Sequence, residues 1–372
     1  MRVLLVCRDA GAAQQLLAVA AAQDASPTSR AVELRALVDG PARQAFHGCG
    51  IPVDTIDRLS AGATHRAFED SLDVYLRHVG PQAVLTGVSA PGPSLEEAVT
   101  HAARRVGIPV IAFQDYWGCG HDDPQAIPDM WLVLDDEAAR LTRAQYPHAR
   151  IEVVGSPRHD ALVLRDLPGL QPHSASSRMP GGPALVMFAG QPLWHLPAYE
   201  TTLRDTARVL ATRGQSVTVR YAPHPAETDC RPHVEQVFGD EGISVQILPM
   251  QDVIATLCDI DVLITAFSSC AWDLLQLHRH EGLSPAVPVC AMWDPQIQQA
   301  HAAYAGGHRT VPYRALLGEL LVTSQDDLDT VIGAALEPGM RDILAARVRS
   351  ALPPRETSAA QRAMALMQLL VP

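Results

Sequence analysis

The chain has 372 residues, 47% apolar and 19% charged, with a net charge of −12. That length exceeds what one hydrophobic core usually supports, so two domains are expected in an ordinary soluble composition. The acidic balance argues against general nucleic-acid binding and against an anionic membrane surface, but not against a small anion held at a helix start. Seven dispersed cysteines without a CxxC pair read as reduced thiols, pointing to the cytoplasm. The opening MRVLLVCRDAG is too short an apolar run for a secretory signal. No stretch approaches the roughly 18 apolar residues of a membrane span. Lysine is absent while alanine and arginine are frequent, the coding bias of a GC-rich bacterial genome.

The first half alternates short aliphatic runs with helical stretches. RVLLVC (2–7) reads as a buried strand, followed by a helix over 11–22 and a second strand, VELRALV (32–38). Helical spacing returns over 64–79, then a strand over 83–87. The helix of 94–107 opens on a capping box, Ser94 with Glu97 three residues later. Strands are expected at 108–115, 130–135 and 151–155, with a helix at 136–146. A stretch rich in Pro, Gly and Ser then breaks the pattern and reads as a linker over 167–183. Beyond it the alternation restarts, with strands at 184–190, 216–222, 244–248, 261–267 and 286–292. Helices are expected at 199–214, 233–240, 252–259 and 270–277, and the tail from about 325 is helical. Alternating strands and helices with aliphatic strands predict α/β architecture: two Rossmann-like domains, each a parallel sheet covered by helices. The boundaries are 1–166, the linker, 184–350, and a C-terminal helix over 351–372. A cleft between two such domains is the default ligand site.

Two strand-to-helix turns of the second domain carry the candidate chemistry. In RYAPHPAETD (220–229), Pro223 and Pro225 flank His224 and restrict its backbone, which suits a ligand-facing histidine or simply a stiff turn. In TAFSSCAWD (265–273), Ser268 and Ser269 stand where a helix starts, as an N-cap or as a phosphate cradle. In the first domain, CRDAGAAQQL (7–16) has Gly11 at a turn but no GxGxxG, so a dinucleotide fingerprint is poorly supported. Gly11 there lets a substrate approach the backbone. FQDYWGCGHDDP (113–124) crowds acids and aromatics at a strand end, where a general base belongs; Asp115 is the first candidate and His121 the second. Trp117 reads as a loop anchor or as a ring stacking on a sugar. HRH (278–280) and HDD (121–123) lack the context of a metal site, so no metal is expected.

The HP turn followed by an SS turn resembles glycosyltransferases of the GT-B fold, in particular bacterial sialyl-, Kdo- and CDP-glycerol-type transferases. UDP-N-acetylglucosamine 2-epimerases share that architecture. VVGSPRHDAL (153–162) resembles their GxPxxD segment, and FAGQP (188–192) their first donor-domain strand and loop. The resemblance implies a metal-independent transferase that moves a sugar from a nucleotide-activated donor to an acceptor hydroxyl. It needs no cofactor beyond that co-substrate. It places His224, Pro225, Ser268, Ser269 and Gln191 at the donor, and Asp273 at the ribose unless it is a solvated helix carboxylate. Gly11, Trp117 and Ser89, the last in TGVSAPGPSLEEA (86–98), fall on the acceptor side. The last helices would cross back onto the first domain. GCGHDD stands where the resembling segment carries an Arg-Phe pair, so the acceptor is open. A 2-epimerase and a non-catalytic nucleotide-sugar-binding protein stay as alternatives, and a homodimer is left open.

Overall fold

The computed structural model describes residues 1–24, 32–56, 65–89, 94–121, 123–164, 182–249, 253–281, 283–353 and 357–370. The expected linker therefore lies outside the described residues except at 182 and 183. The chain forms two compact units. Unit 1 is Met1–Leu162 with Ala303–Gly307 and Arg355–Pro372; unit 2 is Val163–Ala302 with His308–Pro354.

Unit 1 is built on β1 (Arg2–Cys7), β2 (Glu33–Val38), β3 (Val53–Thr55), β4 (Ala83–Thr86), β5 (Val110–Phe113), β6 (Met130–Val133) and β7 (Ile151–Val153). Unit 2 is built on β8 (Ala184–Ala189), β9 (Val217–Ala222), β10 (Val245–Ile247), β11 (Val262–Thr265), β12 (Val287–Ala291) and β13 (Leu321–Val322). Around the two sheets lie α1 (Ala10–Asp24), α2 (His65–Val79), α3 (Leu95–Val106), α4 (Asp136–Gln145), α5 (Pro157–Leu164), α6 (Pro197–Thr212), α7 (Ser269–Leu277), α8 (Pro295–Tyr304) and α9 (Ala359–Leu370). The strand orders are β3-β2-β1-β4-β5-β6-β7 and β10-β9-β8-β11-β12-β13, with parallel pairing throughout. Each sheet reverses direction of growth once, between β1 and β4 and between β8 and β11. Ligands bind beyond the carboxyl ends of strands at such switch points.

The aliphatic runs become strands because each central strand is covered on both faces. In unit 1, Leu4, Val6 and Val84 pack under Leu72 and Leu76 of α2 and Val99 of α3. In unit 2, Leu185, Met187 and Leu263 pack with Leu257, Leu274 and Leu277. The capping box forms as its spacing requires, with Ser94 Oγ accepting the Glu97 amide and the Glu97 carboxylate accepting the Ser94 amide, each at 3.2 Å. Gly107 closes α3 in the left-handed region at φ 75°. The tail folds back as expected: α9 packs on α1, the Ala359 amide donates to Asp160 Oδ2 at 2.8 Å, and Arg362 donates to the Val154 carbonyl.

The structure departs from the sequence reading at short or proline-led elements. β3 and β13 have three and two residues, too few for a period to show. α5 and α8, for which no helix was expected, begin on Pro157 and Pro295, and proline is well suited to the first helical position. The expected strand 108–115 is only Val110–Phe113, so Asp115 stands beyond the strand in the turn. Among the described residues, no helix is long and apolar enough to cross a membrane.

Candidate functional site

In unit 1 the candidate residues gather at the carboxyl ends of β1, β4 and β5. Asp115 is half-buried, and its carboxylate lies against the first turn of α1, so that a Cβ on Gly11 would overlap Asp115 Oδ2. The close approach that Gly11 permits in this structure is to this carboxyl. Burial, and then the neighbouring Asp9 carboxylate, push the Asp115 carboxyl up to about 7; Arg158 pulls the other way. Its hydrogen bonding among the described residues is slight, its own backbone amide and the Cys119 thiol at 3.7 Å. A carboxyl half-ionised near neutral pH is suited to proton transfer.

Beside it, Glu96 is fully buried, and Oε1 accepts the Arg8 amide at 2.8 Å and the Ser89 hydroxyl at 2.6 Å. Burial raises its pKa. Ser89 therefore braces an acid as well as lining a cavity with Cys119, His121 and Tyr304. His121 is 8% exposed, and its Nδ1 bonds the Ala126 carbonyl at 2.7 Å. Burial lowers its pKa, which favours the neutral ring. Of the two readings of Trp117, anchor or sugar-stacking ring, its burial fits the anchor. It is 1% exposed, and its indole N–H donates to both oxygens of Asp135, the N-cap of α4. The ring is buried and meets Tyr116 edge-on at 5.4 Å.

In unit 2 the HP and SS turns are joined by one hydrogen-bond chain. Gln191 lies at the switch point just past β8, is 7% exposed, and accepts the Phe267 amide on its Oε1 at 2.8 Å. Its backbone amide donates to Tyr199 Oη at 2.8 Å. Tyr221 gives its single hydroxyl proton to Glu227 Oε1 at 2.7 Å. The 3.2 Å contact between the two tyrosine oxygens must therefore have Tyr199 as donor. Glu227 also accepts the Trp194 indole N–H at 2.6 Å and the His224 backbone amide at 2.6 Å. Burial raises the Glu227 pKa against these bonds. A Cβ on Gly190 would overlap Glu227 Oε2, so the chain needs glycine there.

This chain fixes the turn on which His224 is presented. His224 and Pro225 are exposed, and His224 Nδ1 accepts the Ala226 amide at 3.1 Å. In the neutral ring that leaves the proton on Nε2, a donor suited to a phosphate oxygen. Ser268 caps α7, accepting the Cys270 amide at 3.3 Å, while its own amide donates to Thr265 Oγ1 at 3.1 Å. Ser269 is exposed at the helix start. Asp273 is 1% exposed on a helix buried from Ala271 to Leu277, so it offers no carboxylate to a ribose and is not a solvated residue either. Gln191 braces the two turns rather than offering its amide oxygen to a ligand.

Sequence reading missed Asp9, Arg158 and Glu96 in unit 1 and Trp194, Tyr199, Tyr221 and Glu227 in unit 2. Glu227 had one visible signal, an acid three residues after His224 in the same stiff turn.

No protein-family profile matches the chain, and neither does any curated protein sequence. Solved structures do match over its length. UDP-GlcNAc 2-epimerase from Neisseria meningitidis, bound to UDP-GlcNAc, aligns with 99% of this chain and 100% of its own at 11% identity, with a TM-score of 0.64. This is the GT-B fold. MurG from Acinetobacter baumannii aligns with 99% of both chains at 16% identity and a TM-score of 0.56. The lipopolysaccharide outer core galactosyltransferase WaaB aligns with 99% of this chain and 100% of its own at 11% identity and a TM-score of 0.62. At such identities the likeness is one of fold. Both switch points of this GT-B chain carry polar clusters at the strand ends, where the architecture leaves room for ligands.

Proposed function

We propose that the chain is a metal-independent glycosyltransferase that uses a nucleotide-activated sugar and transfers the sugar to an acceptor hydroxyl. The observation that carries this reading is Asp115, a half-buried carboxyl at a strand end pushed up to about 7 and only weakly hydrogen-bonded. As a carboxylate it takes the proton of the attacking hydroxyl. Unit 2 binds the nucleotide diphosphate or monophosphate through His224 Nε2–H and the hydroxyl and backbone amide of Ser269. Positive polarisation there offsets the charge that grows on the leaving phosphate. A single base and a single displacement give inversion at the sugar carbon.

A second reading has a specific observation behind it. The epimerase neighbour is seen with UDP-GlcNAc, and it covers the same length of chain. Against it stands the turn SSCAWD, where epimerases resembling this chain carry Ser-Gly-Gly followed by acids. The test is product analysis with UDP-, GDP-, CMP- and dTDP-sugars, in EDTA, with and without a pool of sugar acceptors. Acceptor-dependent nucleotide release supports the transferase. Epimerised nucleotide sugar without acceptor supports the epimerase. A His224-dependent melting shift with neither product leaves a binding protein.

A further inference from the structure

Unit 1 holds a cavity of about 90 Å³ that the proposed base does not line; Ser89, Cys119, His121, Gln145, Ala303 and Tyr304 are among its walls. It is a built feature. Gln145 Nε2 donates to the Gly118 carbonyl at 2.7 Å, and Gly118, at φ 67°, brings its backbone against Ala305. Tyr146 donates to the His121 carbonyl at 3.0 Å, and its ring stacks on Trp131 at 5.0 Å. Trp131 in turn meets the His121 ring edge-on at 5.4 Å. His121 is thus held at its backbone, at its ring and at Nδ1.

That clamping sets the chemistry of the other ring nitrogen. Nδ1 faces a carbonyl, so it must carry the proton, and Nε2 is left with a lone pair. Nε2 is buried and has no hydrogen-bond partner among the described residues. A buried acceptor fixed in place without a donor calls for one from outside. The other walls sort the candidates. The Ser89 proton is already given to Glu96, so that oxygen too can only accept. Among the described residues no arginine lines the cavity, the Cys119 thiol separates it from the Asp115 carboxyl, and Glu96 stands behind Ser89. Tyr304 and Gln145 can donate, but a phosphate or carboxylate there also meets two acceptors, His121 Nε2 and Ser89 Oγ, with negative charge behind them. The volume is below the roughly 150 Å³ of a cavity that takes benzene, so it admits a substituent or one edge of a ring rather than a whole ring.

We propose that this cavity is a subsite for one neutral hydroxyl-bearing edge of a sugar or polyol, whose O–H donates to His121 Nε2. The subsite stands on the geometry of unit 1; its assignment to the acceptor rests on the transferase reading.

The test uses the full-length protein labelled with [15N]histidine and follows the His121 ring nitrogens, identified by their loss in His121→Asn. Glucose, N-acetylglucosamine and glycerol are titrated, with phosphate and acetate as anionic probes. The expected result is a saturable shift of Nε2 with at least one neutral probe and none with either anion. His121→Asn keeps a donor for the Ala126 carbonyl, but its shorter side chain puts no acceptor where Nε2 stood. Ala303→Leu, at an exposed helix position, fills the cavity and leaves His121 intact. Each should weaken binding about tenfold or more, the worth of a buried hydrogen bond. A His121 signal unmoved by all three neutral probes at near-molar concentration overturns the proposal, as does an equal response to the anions. So does wild-type affinity in a folded Ala303→Leu protein, which decides the matter if His121→Asn does not fold. Nucleotide-induced melting shifts are read separately. A His224-dependent nucleotide hit with a silent His121 sinks the subsite alone. Polyol binding with no nucleotide hit sinks the transferase reading alone.

Discussion

Asp115 in unit 1 and Glu227 in unit 2 are both half-buried carboxyls a short way past a strand, and burial raises the pKa of both. Their surroundings differ. Glu227 is saturated, accepting hydrogen bonds from an indole, a phenol and a backbone amide. Asp115 has a thiol at 3.7 Å and a second carboxylate as neighbour. The lesson is that burial alone does not make a catalytic acid or base. Hydrogen bonds decide whether a buried carboxyl is a strut or a titrating group, because each donor favours the charged form that burial penalises.

The largest effect should come from Asp115→Asn. Under the proposed mechanism it lowers turnover by roughly 10²–10⁴-fold, the usual worth of general base catalysis, while nucleotide binding holds. Wild-type kcat/KM should rise as pH passes through about 7, and the variant should lack that limb. The stability effect has the opposite sense. With its pKa raised in the native state, Asp115 binds its proton more tightly there than in the unfolded chain. The stability it contributes is therefore full in acid and is lost as pH climbs from about 4 to beyond 7. The melting temperature of Asp115→Asn relative to wild type should thus grow more favourable across that window; a flat difference would break the comparison.

Next in size, Glu227→Gln places an amide where the carboxylate accepts three donors. Bonds to a charged group are worth about 1.5–3 kcal/mol each, so we expect a loss of about 2–3 kcal/mol in urea unfolding. The same variant should weaken nucleotide affinity by loosening the turn that presents His224. Unchanged stability would show that the saturated carboxyl is no strut. Gly190→Ala should cost about 1–3 kcal/mol by overpacking against the same carboxylate, read from the same urea curves. The smallest effect is Ser268→Ala, about 1 kcal/mol for a lost N-cap. If nucleotide binding falls far more than that, Ser268 holds phosphate as well as capping α7; if not, it is a cap.

Much of the architecture was legible because it is written in local patterns. Aliphatic runs such as RVLLVC and DVLITAF mark central parallel strands, and Ser94 with Glu97 marks a helix start, since each depends on residues within one turn or one strand. The position of Asp115 was legible for the same reason, an acid two residues past an apolar run. Asp273 was misread, and the choice between the two readings of Trp117 stayed open, because their surroundings are not local. Asp273 sits on a helix packed from Ala271 to Leu277, and Trp117 finds its partner, Asp135, 18 residues further along. Glu227 hides more deeply still. Its importance comes from Trp194, 33 residues before it, and from Gly190, which no spacing rule connects to it.

By itself, then, the amino-acid sequence determined the alternation of strands and helices, and with it two parallel sheets whose strand ends offer ligand sites. Periodicity and capping are short-range, and parallel strands need covered faces wherever they occur. Which carboxyl is saturated, which histidine nitrogen is left with a bare lone pair, and that the HP and SS turns share one hydrogen-bond chain were decided only by the tertiary structure. Desolvation and hydrogen-bond saturation are properties of a side chain's whole surroundings, and those surroundings are assembled from residues far apart in the chain.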